Sequence, residues 1–426
     1  GGDPVRRVFS TGVAGDRKAD LLDDDRIAFD QVYPRDVDPA VQPLRGARIP
    51  DGVAFTPDGS ALLSADEGEE SFTGARGFSV WDPGTGRLLF EERGLEAIAV
   101  RFGHYPDGRS DAKGIEVEGV VTAAFGRRQL AFVGSERGSF VAVYDVGNAR
   151  RPRFLQLLPT GVRPEGILPI AERGLLVTSD EGSGSITILA EAGRAARPAT
   201  RPQISSGGVR EPWSALSGLA GDPRRDDVLW SVPDSALPSA LYRIDLRGSE
   251  ARLRAAPVTA GGEQARYDLE GIAVDDSIAA QRGRGGFWLA SEGNARFGRD
   301  GYLPNLLVQV DARGRVLREV PLPPAVDSPR GGVVRGNGFE GVAVSDSGRY
   351  LLAAVQREYA RDAVPGGVRH TRIARYDLLL DRWDFFLYPL DAPPAGASWV
   401  GLSEITNLGG DRYAVIERDN AQGGAA

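Results

Sequence analysis

A short motif recurs along the 426-residue chain: an apolar residue, an acid, a glycine and a second apolar residue. Its clear copies carry the acids Asp51, Glu118, Glu165, Glu270 and Glu340. Looser copies stand at residues 216–219 and 402–405. Carboxylates bind hard cations and exchange protons, and glycine beside each acid lets the backbone turn sharply and approach a neighbour closely. The motif predicts a repeated acidic site; the alternative is that each acid caps backbone amides as a structural brace.

Composition narrows the chemistry that these acids can support. The chain has no cysteine and two histidines, His104 and His370. This excludes thiolate zinc sites, iron–sulfur clusters, cysteine nucleophiles and a three-histidine zinc centre. The net charge of −8 argues against a nucleic-acid partner, which requires clustered cations. Oxygen ligands remain, and they favour calcium or magnesium.

The loop at residues 101–119 combines the largest variety of reactive side chains. It holds His104 and one of the two lysines, Lys113, together with Arg101 and Arg109. A histidine near carboxylates could act as a general acid or base, and the cations could hold an anionic substrate group. The alternative is an ordered surface loop closed by local salt bridges.

A second group of acids ends the apolar run that follows each motif, and several of these acids have an arginine beside them. The arginines are Arg137, Arg357 and Arg418. With Arg101 and Arg109, they are predicted to bind the substrate through its phosphate or another anionic group. The bland alternative is that each arginine pairs with its neighbouring acid at a solvated rim.

The elements that position these residues are predicted to be strands. Each motif opens a series of up to four short apolar runs that alternate with period two and are separated by Gly, Pro or Asp turns, and helical periodicity is almost absent. Seven such units predict an all-β fold, a single β-propeller of seven blades with four antiparallel strands each. A large β-sandwich or two unrelated all-β domains are the alternatives.

The propeller interpretation divides the chain and places the acids. Residues 1–48 form an N-terminal segment that could complete a blade, and residues 49–200 and 201–426 contribute blades to the same ring. The innermost strands line a central channel, so the motif acids would converge there. Like charges repel strongly in such a channel unless protons, arginines or a cation neutralise them.

These motifs resemble a bacterial family with a phytase-like domain, known as "esterase-like activity of phytase". The resemblance lies in DLEGIAV (268–274), FWLASEG (287–293), RGNGFEGVAVSDSGRYLLAAVQRE (335–358) and SEITNLGGDRYAVIERDN (403–420). The first half is similar to the propeller segment of choice-of-anchor I proteins, through RSDAKGIEVEGV (109–120), VYDV (143–146) and RPEGILPI (163–170).

The resemblance implies a secreted or periplasmic β-propeller that hydrolyses phosphate or other esters of small molecules. A looser analogy to propeller lactonases implies one channel calcium. On that analogy its ligands are Glu118, Glu165, Glu270, Asn294, Asn337 and Glu340.

The leading hypothesis is therefore a metal-assisted, calcium-like ester or phosphoester hydrolase. Its predicted catalytic residues are His104, Lys113, Glu118 and Glu270. The alternative is a non-catalytic extracellular or cell-envelope propeller that binds a protein partner or serves as a calcium-stabilised scaffold. No apolar run is long enough for a transmembrane helix. The start, GGDPVRR, is neither a signal peptide nor an initiator methionine, so we expect a trimmed N-terminus.

Overall fold

The computed structural model divides the chain into two compact units, Gly1–Pro212 and Trp213–Ala426, called here the N-terminal unit and the C-terminal unit. It describes residues 14, 17–19, 31–32, 46–70, 72–191, 203–235, 237–248, 250–275, 286–293, 302–323, 326, 338–359, 362 and 367–420. Strands dominate these residues, so the all-β prediction is confirmed.

The N-terminal unit contains three antiparallel sheets that follow one another along the chain. The first has β3 (Pro50–Phe55), β4 (Leu62–Asp66), β5 (Gly77–Trp81) and β6 (Leu88–Glu91); the second has β7 (Gly119–Phe125), β8 (Arg128–Ser135), β9 (Phe140–Asp145) and β10 (Arg153–Pro159); the third has β11 (Pro164–Ile170), β12 (Leu175–Asp180) and β13 (Ser185–Ala190). The short strands β1 (Lys18–Ala19) and β2 (Gln31–Val32) pair with each other, and β14 spans Gln203–Ser205.

The C-terminal unit repeats the same plan. Its first sheet has β15 (Leu216–Asp222), β16 (Arg225–Pro233), β17 (Ala240–Asp245) and β18 (Glu250–Pro257), and the short strands β19 (Thr259–Ala260) and β20 (Glu263–Gln264) pair after it. Its second sheet has β21 (Asp268–Val274), β22 (Phe287–Glu292), β23 (Leu306–Val310) and β24 (Val316–Pro321). Its third sheet has β25 (Phe339–Val344), β26 (Tyr350–Val355), β27 (His370–Asp377) and β28 (Arg382–Pro389), and its last has β29 (Val400–Gly409) and β30 (Arg412–Asp419).

Each motif copy lies at the start of the first strand of a sheet, as the repeat predicts. The predicted turns at residues 57–59 and 345–348 are present as well. Gly59 and Gly348 adopt φ values of 71° and 67°, and the amide of each donates to a carbonyl three residues earlier, at 2.8 Å. Glycine is favoured there because other side chains are strained at positive φ.

The structure differs in two ways from the prediction of four strands in every blade and almost no helix. Among the described residues the third sheet has three strands and the last has two, and a helix, α1 (Leu95–Phe102), joins the first sheet to the second. The helix ends at Gly103, which adopts the left-handed conformation with φ 75°. Closure of all sheets into one seven-bladed ring remains a prediction.

Apolar side chains between successive sheets form the core of each unit. Trp288, Leu307, Phe339 and Val342 are buried between the second and third sheets of the C-terminal unit. Within that unit, β15 contacts β21, β21 contacts β25, and β25 contacts β29. The first strands are thus neighbours, as they are in propeller blades, and each places its motif beside the next.

Candidate functional site

A β-bulge displaces the motif acid from the strand ladder. In β21, Leu269 pairs with Ser291 and Gly271 with Ala290, so Glu270 is the extra residue. The same shift isolates Glu165 in β11, and a wider one spans Glu340 in β25. A bulge redirects a side chain and is common beside active sites. The repeat therefore places a carboxylate at an equivalent, irregular point of several sheets, which the sequence pattern alone did not reveal.

The glycine after the acid permits the predicted close approach. A Cβ atom added to Gly271 would lie 2.6 Å from the carbonyl oxygen of Glu340 and 2.8 Å from the Cα of Gly341. Neighbouring first strands therefore touch through their backbones at the motif, which brings their acids close together.

In the C-terminal unit, five acids lie around this contact, and we call them the C-terminal acidic cluster: Asp234, Asp268, Glu270, Glu292 and Glu340. Carboxylate oxygens of Asp234, Asp268 and Glu270 lie within 4.8 Å of one another. Ser217 Oγ donates to Glu270 Oε2 at 2.5 Å, and the amide of Gly338 donates to Glu292 Oε1 at 2.5 Å.

Burial makes these carboxylates hard to ionise. It raises the pKa of Glu270 to about 7 and that of Glu292 to about 7, and nearby acids add to both shifts. Burial, followed by the charges of Glu270 and Glu292, raises the pKa of Glu340 to about 8, although Arg418 opposes the shift. The cluster therefore holds protons near neutral pH unless a cation replaces them.

The donor set fits a hard cation. Asp268 Oδ1 is buried without a hydrogen-bond partner, close to two further carboxylates. An orphaned buried oxygen in such surroundings is what calcium, with its six to eight oxygen ligands, would satisfy. Of the predicted ligands, Glu270 and Glu340 belong to this cluster, whereas Asn294 and Asn337 lie outside the described residues.

Two predicted substrate-binding arginines share one aromatic ring. The guanidinium carbons of Arg357 and Arg418 lie 4.7 Å and 5.1 Å from the ring centroid of Trp399. Arg357 also approaches Glu358, at 3.4 Å, whereas no described carboxylate lies within ion-pair distance of Arg418. The sequence did not single out Trp399, because the stack joins the start of β29 to residues far along the chain.

The N-terminal unit has its own group of acids, which we call the N-terminal acidic cluster: Glu67, Glu116, Glu118, Glu136 and Glu165. Basic side chains reach three of them: Lys113 Nζ lies 2.7 Å from Glu67, Arg137 Nε donates to Glu116 Oε2 at 2.5 Å, and Arg163 Nε donates to Glu136 Oε1 at 2.6 Å. The predicted anion-binding residue Arg109 also pairs with Glu116.

Glu118 has no basic partner among the described residues, and its carboxyl group is therefore the hardest of this cluster to ionise. Burial, then its contact with Glu136 and the charges of Glu165 and Glu67, raises the pKa of Glu118 to about 8. Burial also raises the pKa of Glu165. Burial acts in the same sense on Glu136, but hydrogen bonds from Glu116 and Arg163 outweigh it and lower the pKa of Glu136. Arginines, a lysine and a proton thus neutralise most of this cluster.

A buried arginine, Arg76, anchors the loop at residues 101–119. Arg76 Nη1 lies 3.1 Å from Glu96, and Arg76 Nη2 donates to the carbonyl of Ser110 at 2.9 Å. Lys113 and Glu116 adopt positive φ values of 61° and 45°, a strained conformation that the surrounding contacts must maintain. These contacts hold the loop in one conformation, and its catalytic role stays a prediction.

The hydrogen-bond partner of His104 among the described residues is a backbone carbonyl and not a carboxylate. Its Nδ1 lies 2.7 Å from the carbonyl oxygen of Gly138, and its ring packs edge-on against Phe140. Burial lowers the pKa of His104. The guanidinium of Arg101 lies over the ring of Phe102, 5.0 Å from its centroid. The predicted catalytic role of His104 and substrate-binding role of Arg101 stay predictions.

The fold and the two clusters define a protein of successive antiparallel sheets with motif acids at their first strands. The family model described as "Phytase-like: Esterase-like activity of phytase" matches residues 211–426, just over half of the 426 residues. The chain belongs to this family. The choice-of-anchor I domain model matches residues 70–149. Both matches confirm the resemblance seen in the motifs.

Other comparisons give distant similarities. A search of curated proteins gave no match. Among solved structures, Kuenenia stuttgartiensis hydrazine synthase is 14% identical, covers 87% of this chain and 96% of its own, and has a TM-score of 0.28. The WD40 repeats of RRP9 are 11% identical, with coverages of 84% and 83% and a TM-score of 0.25. These similarities are too low to bear on function. Within the described residues, none of the helices has the length and apolar character needed to span a membrane.

Proposed function

We propose that the protein is a metal-assisted hydrolase of esters or phosphoesters, with a calcium-like ion at the C-terminal acidic cluster. The observation that carries the proposal is the grouping of Asp234, Asp268 and Glu270 within 4.8 Å, with Asp268 Oδ1 buried and unbonded. Membership of the phytase-like family, described by its esterase-like activity, supports the hydrolytic class.

The acids of the cluster divide into two roles. Asp234, Asp268 and Glu270 hold the ion, which when bound would polarise the substrate and lower the pKa of a water molecule. Glu340 has a pKa of about 8, set by burial and by Glu270 and Glu292. A carboxyl that titrates near neutral pH can exchange a proton with water or a leaving group, as a general acid or base must.

The arginines on Trp399 supply the substrate-binding group. Arg418 has no ion-pair partner among the described carboxylates. Its charge opposes the rise in the pKa of Glu340, so Arg418 acts on the cluster electrostatically. A guanidinium presents several N–H donors in one plane and matches a phosphate or carboxylate. The substrate that fits best is therefore a small anionic ester.

The N-terminal acidic cluster is assigned a structural role in this proposal. Three of its five acids, Glu67, Glu116 and Glu136, are paired with Lys113, Arg137 and Arg163, which supports a brace. Metal binding by Glu118 and Glu165 remains the competing prediction. The choice-of-anchor I match supports a cell-surface or secreted location, and a small-molecule substrate suits that setting.

The experiment measures hydrolysis of 4-nitrophenyl phosphate and 4-nitrophenyl acetate by the full chain, after treatment with a chelator and after addition of calcium. We expect calcium-dependent turnover that Asp268→Asn and Glu270→Gln each lower at least about 100-fold. Thermal unfolding of the chelated variants should match that of the chelated parent or lie above it, because each change removes a poorly paired buried charge.

Glu118→Gln is the matched control, since it makes the same change in the other cluster. It should keep the calcium-dependent activity. Activity that survives chelation would contradict the metal assignment. Loss of activity in Glu118→Gln with full activity in Glu270→Gln would move the site to the N-terminal cluster, and absence of turnover on both esters would favour the non-catalytic alternative.

A further inference from the structure

Gln356 occupies a position that carries an acid in most of the other sheets. The second apolar residue of each motif pairs with a residue of the next strand, as Val342 does with Ala353, and the position in question lies three places further on. The equivalent pairings of five other sheets place acids there: Glu67, Glu136, Glu181, Asp234 and Glu292. The pairing of β29 with β30 places Arg418 there. The sheet that contains Glu340 therefore has an uncharged amide at a point where five others have a carboxyl group.

The amide changes what the motif acid can do. In the second sheet of the N-terminal unit the acid at this position is Glu136, and after burial it is the main cause of the raised pKa of Glu118. Two carboxyl groups form a hydrogen bond with each other only when one of them keeps a proton. Glu340 has a different partner, because Gln356 Nε2 donates to Glu340 Oε1. An amide donates this hydrogen bond without any change of protonation.

The backbone of Gln356 is held by both neighbouring strands. Its amide donates to the carbonyl of Gly338, just before β25, at 2.8 Å, and its carbonyl accepts from the amide of Leu402, in β29, at 3.1 Å. The residue is buried, with 6% of its surface exposed. These bonds and the burial leave the side chain little freedom, so it presents Nε2 to Glu340 in one orientation.

A second buried amide fixes the backbone from which Glu340 projects. Asn305 Oδ1 accepts from the amide of Phe339 at 2.8 Å and from that of Gly293 at 3.1 Å. Phe339 precedes Glu340 and Gly293 follows Glu292, so Asn305 ties together the two segments that carry these acids. The carboxyl group of Glu340 is thus located through its side chain by one amide and through its backbone by another.

We propose that Gln356 is a positioning residue that makes Oε2 the oxygen at which Glu340 gains and loses its proton. The inference rests on the proposed function, in which Glu340 is the general acid or base. Because Oε1 accepts from Gln356, a proton on Glu340 lies on Oε2. When Glu340 acts as the acid, the O–H bond at Oε2 breaks, its electron pair stays on the carboxylate and the proton passes to the leaving group. When Glu340 acts as the base, the same oxygen takes a proton from water.

The first test compares two substitutions of Gln356 in calcium-saturated hydrolysis of 4-nitrophenyl phosphate by the full chain. Gln356→Met keeps the length of the side chain and removes the donor, so we expect kcat to fall at least about tenfold while KM changes less than about twofold. Gln356→Glu keeps the shape, and its carboxyl group donates only when protonated. The ratio of its kcat to that of the parent should therefore fall at least about tenfold between about pH 5 and about pH 9.

Gln129 is the matched control. Its Nε2 also donates to a carboxylate, Asp58 Oδ2, at 3.1 Å, but in the N-terminal unit and outside both acidic clusters. Gln129→Met and Gln129→Glu should leave kcat and its pH dependence unchanged. Thermal unfolding of all four variants detects loss of folded protein. Gln356→Glu keeps the test decisive if Gln356→Met unfolds, because its activities at different pH values are compared within one variant.

An amide with a structural role alone would give a ratio for Gln356→Glu that does not change with pH. That result, or an unchanged kcat in Gln356→Met, would overturn the proposal.

The second test locates the proton and does not require turnover. Neutron diffraction from deuterated crystals of the parent at about pH 6 should show deuterium on Glu340 Oε2 and the Nε2 deuterons of Gln356 directed at Oε1. Deuterium on Oε1, or an amide turned so that its oxygen faces Glu340, would overturn the proposal whether or not the protein hydrolyses esters. A parent without calcium-dependent turnover would instead contradict the proposed function, so the two failures are distinguishable.

Discussion

Arg418 is the cation that most directly tests the electrostatics of the C-terminal acidic cluster. Its charge opposes the rise in the pKa of Glu340, which burial, Glu270 and Glu292 bring to about 8. Arg418→Ala should therefore raise the pKa of Glu340 further, measured by carbon-13 NMR titration of the glutamate side chains. Arg412→Ala, on the same strand, is the control, because Arg412 donates to the carbonyl of Gly409. An unchanged or lower pKa in Arg418→Ala would contradict this arrangement.

Sequence reasoning found part of this site at the residue level. It selected Glu270 and Glu340 because the motif repeats, and Arg357 and Arg418 because each has an acid beside it. It did not select Asp268 as a ligand. Asp268 and Glu270 lie on the same strand, and their carboxylates come together only because the bulge turns the side chain of Glu270. It also passed over Trp399, whose ring meets both arginines only after folding.

The contact between first strands is the element-level feature on which the cluster depends. Gly271→Ala would place a Cβ atom 2.6 Å from the carbonyl oxygen of Glu340, in a region where backbone meets backbone. We expect it to lower the free energy of unfolding by about 1–3 kcal/mol, read from the midpoint of urea denaturation.

Gly221→Ala is the matched control for that substitution. Gly221 also lies on a first strand, β15, and a Cβ added there meets no atom within 4 Å. It should change the midpoint little. Equal destabilisation by the two alanines would show that strand propensity, and not the close approach, accounts for the effect.

At the same scale, the alternation of apolar residues and the turn chemistry predicted most strands, because both are local properties of the sequence. The bulges were not predicted, since a bulge appears only when two strands are paired. The helix α1 was missed because its eight residues, LEAIAVRF, are too few to show a clear helical period. Its stability comes from burial of Leu95, Ala99 and Val100.

For the whole molecule, the buried acids predict how stability changes with pH. The pKa values of Glu118 and Glu340 rise to about 8, and those of Glu270, Glu292 and Glu404 to about 7, from an ordinary value of 4.5. Between about pH 4.5 and about pH 8 the folded protein therefore binds more protons than the unfolded chain. The contribution of these five groups to the free energy of unfolding is fully present below about pH 4.5, and it is lost as the pH rises toward about 8.

Calcium should reverse this fall, because a bound cation replaces the protons that the C-terminal acidic cluster would otherwise hold. We expect the thermal unfolding temperature of the chelated protein to decrease between about pH 5 and about pH 8, and calcium to raise it most at about pH 8. Sodium chloride at equal ionic strength is the control, since screening alone would act on all exposed charges. Glu270→Gln combined with Glu340→Gln should reduce the pH dependence, because Glu118, Glu292 and Glu404 keep their raised pKa values, and it should abolish the calcium effect. A calcium effect that persists in this double variant would place the stabilising ion elsewhere in the molecule.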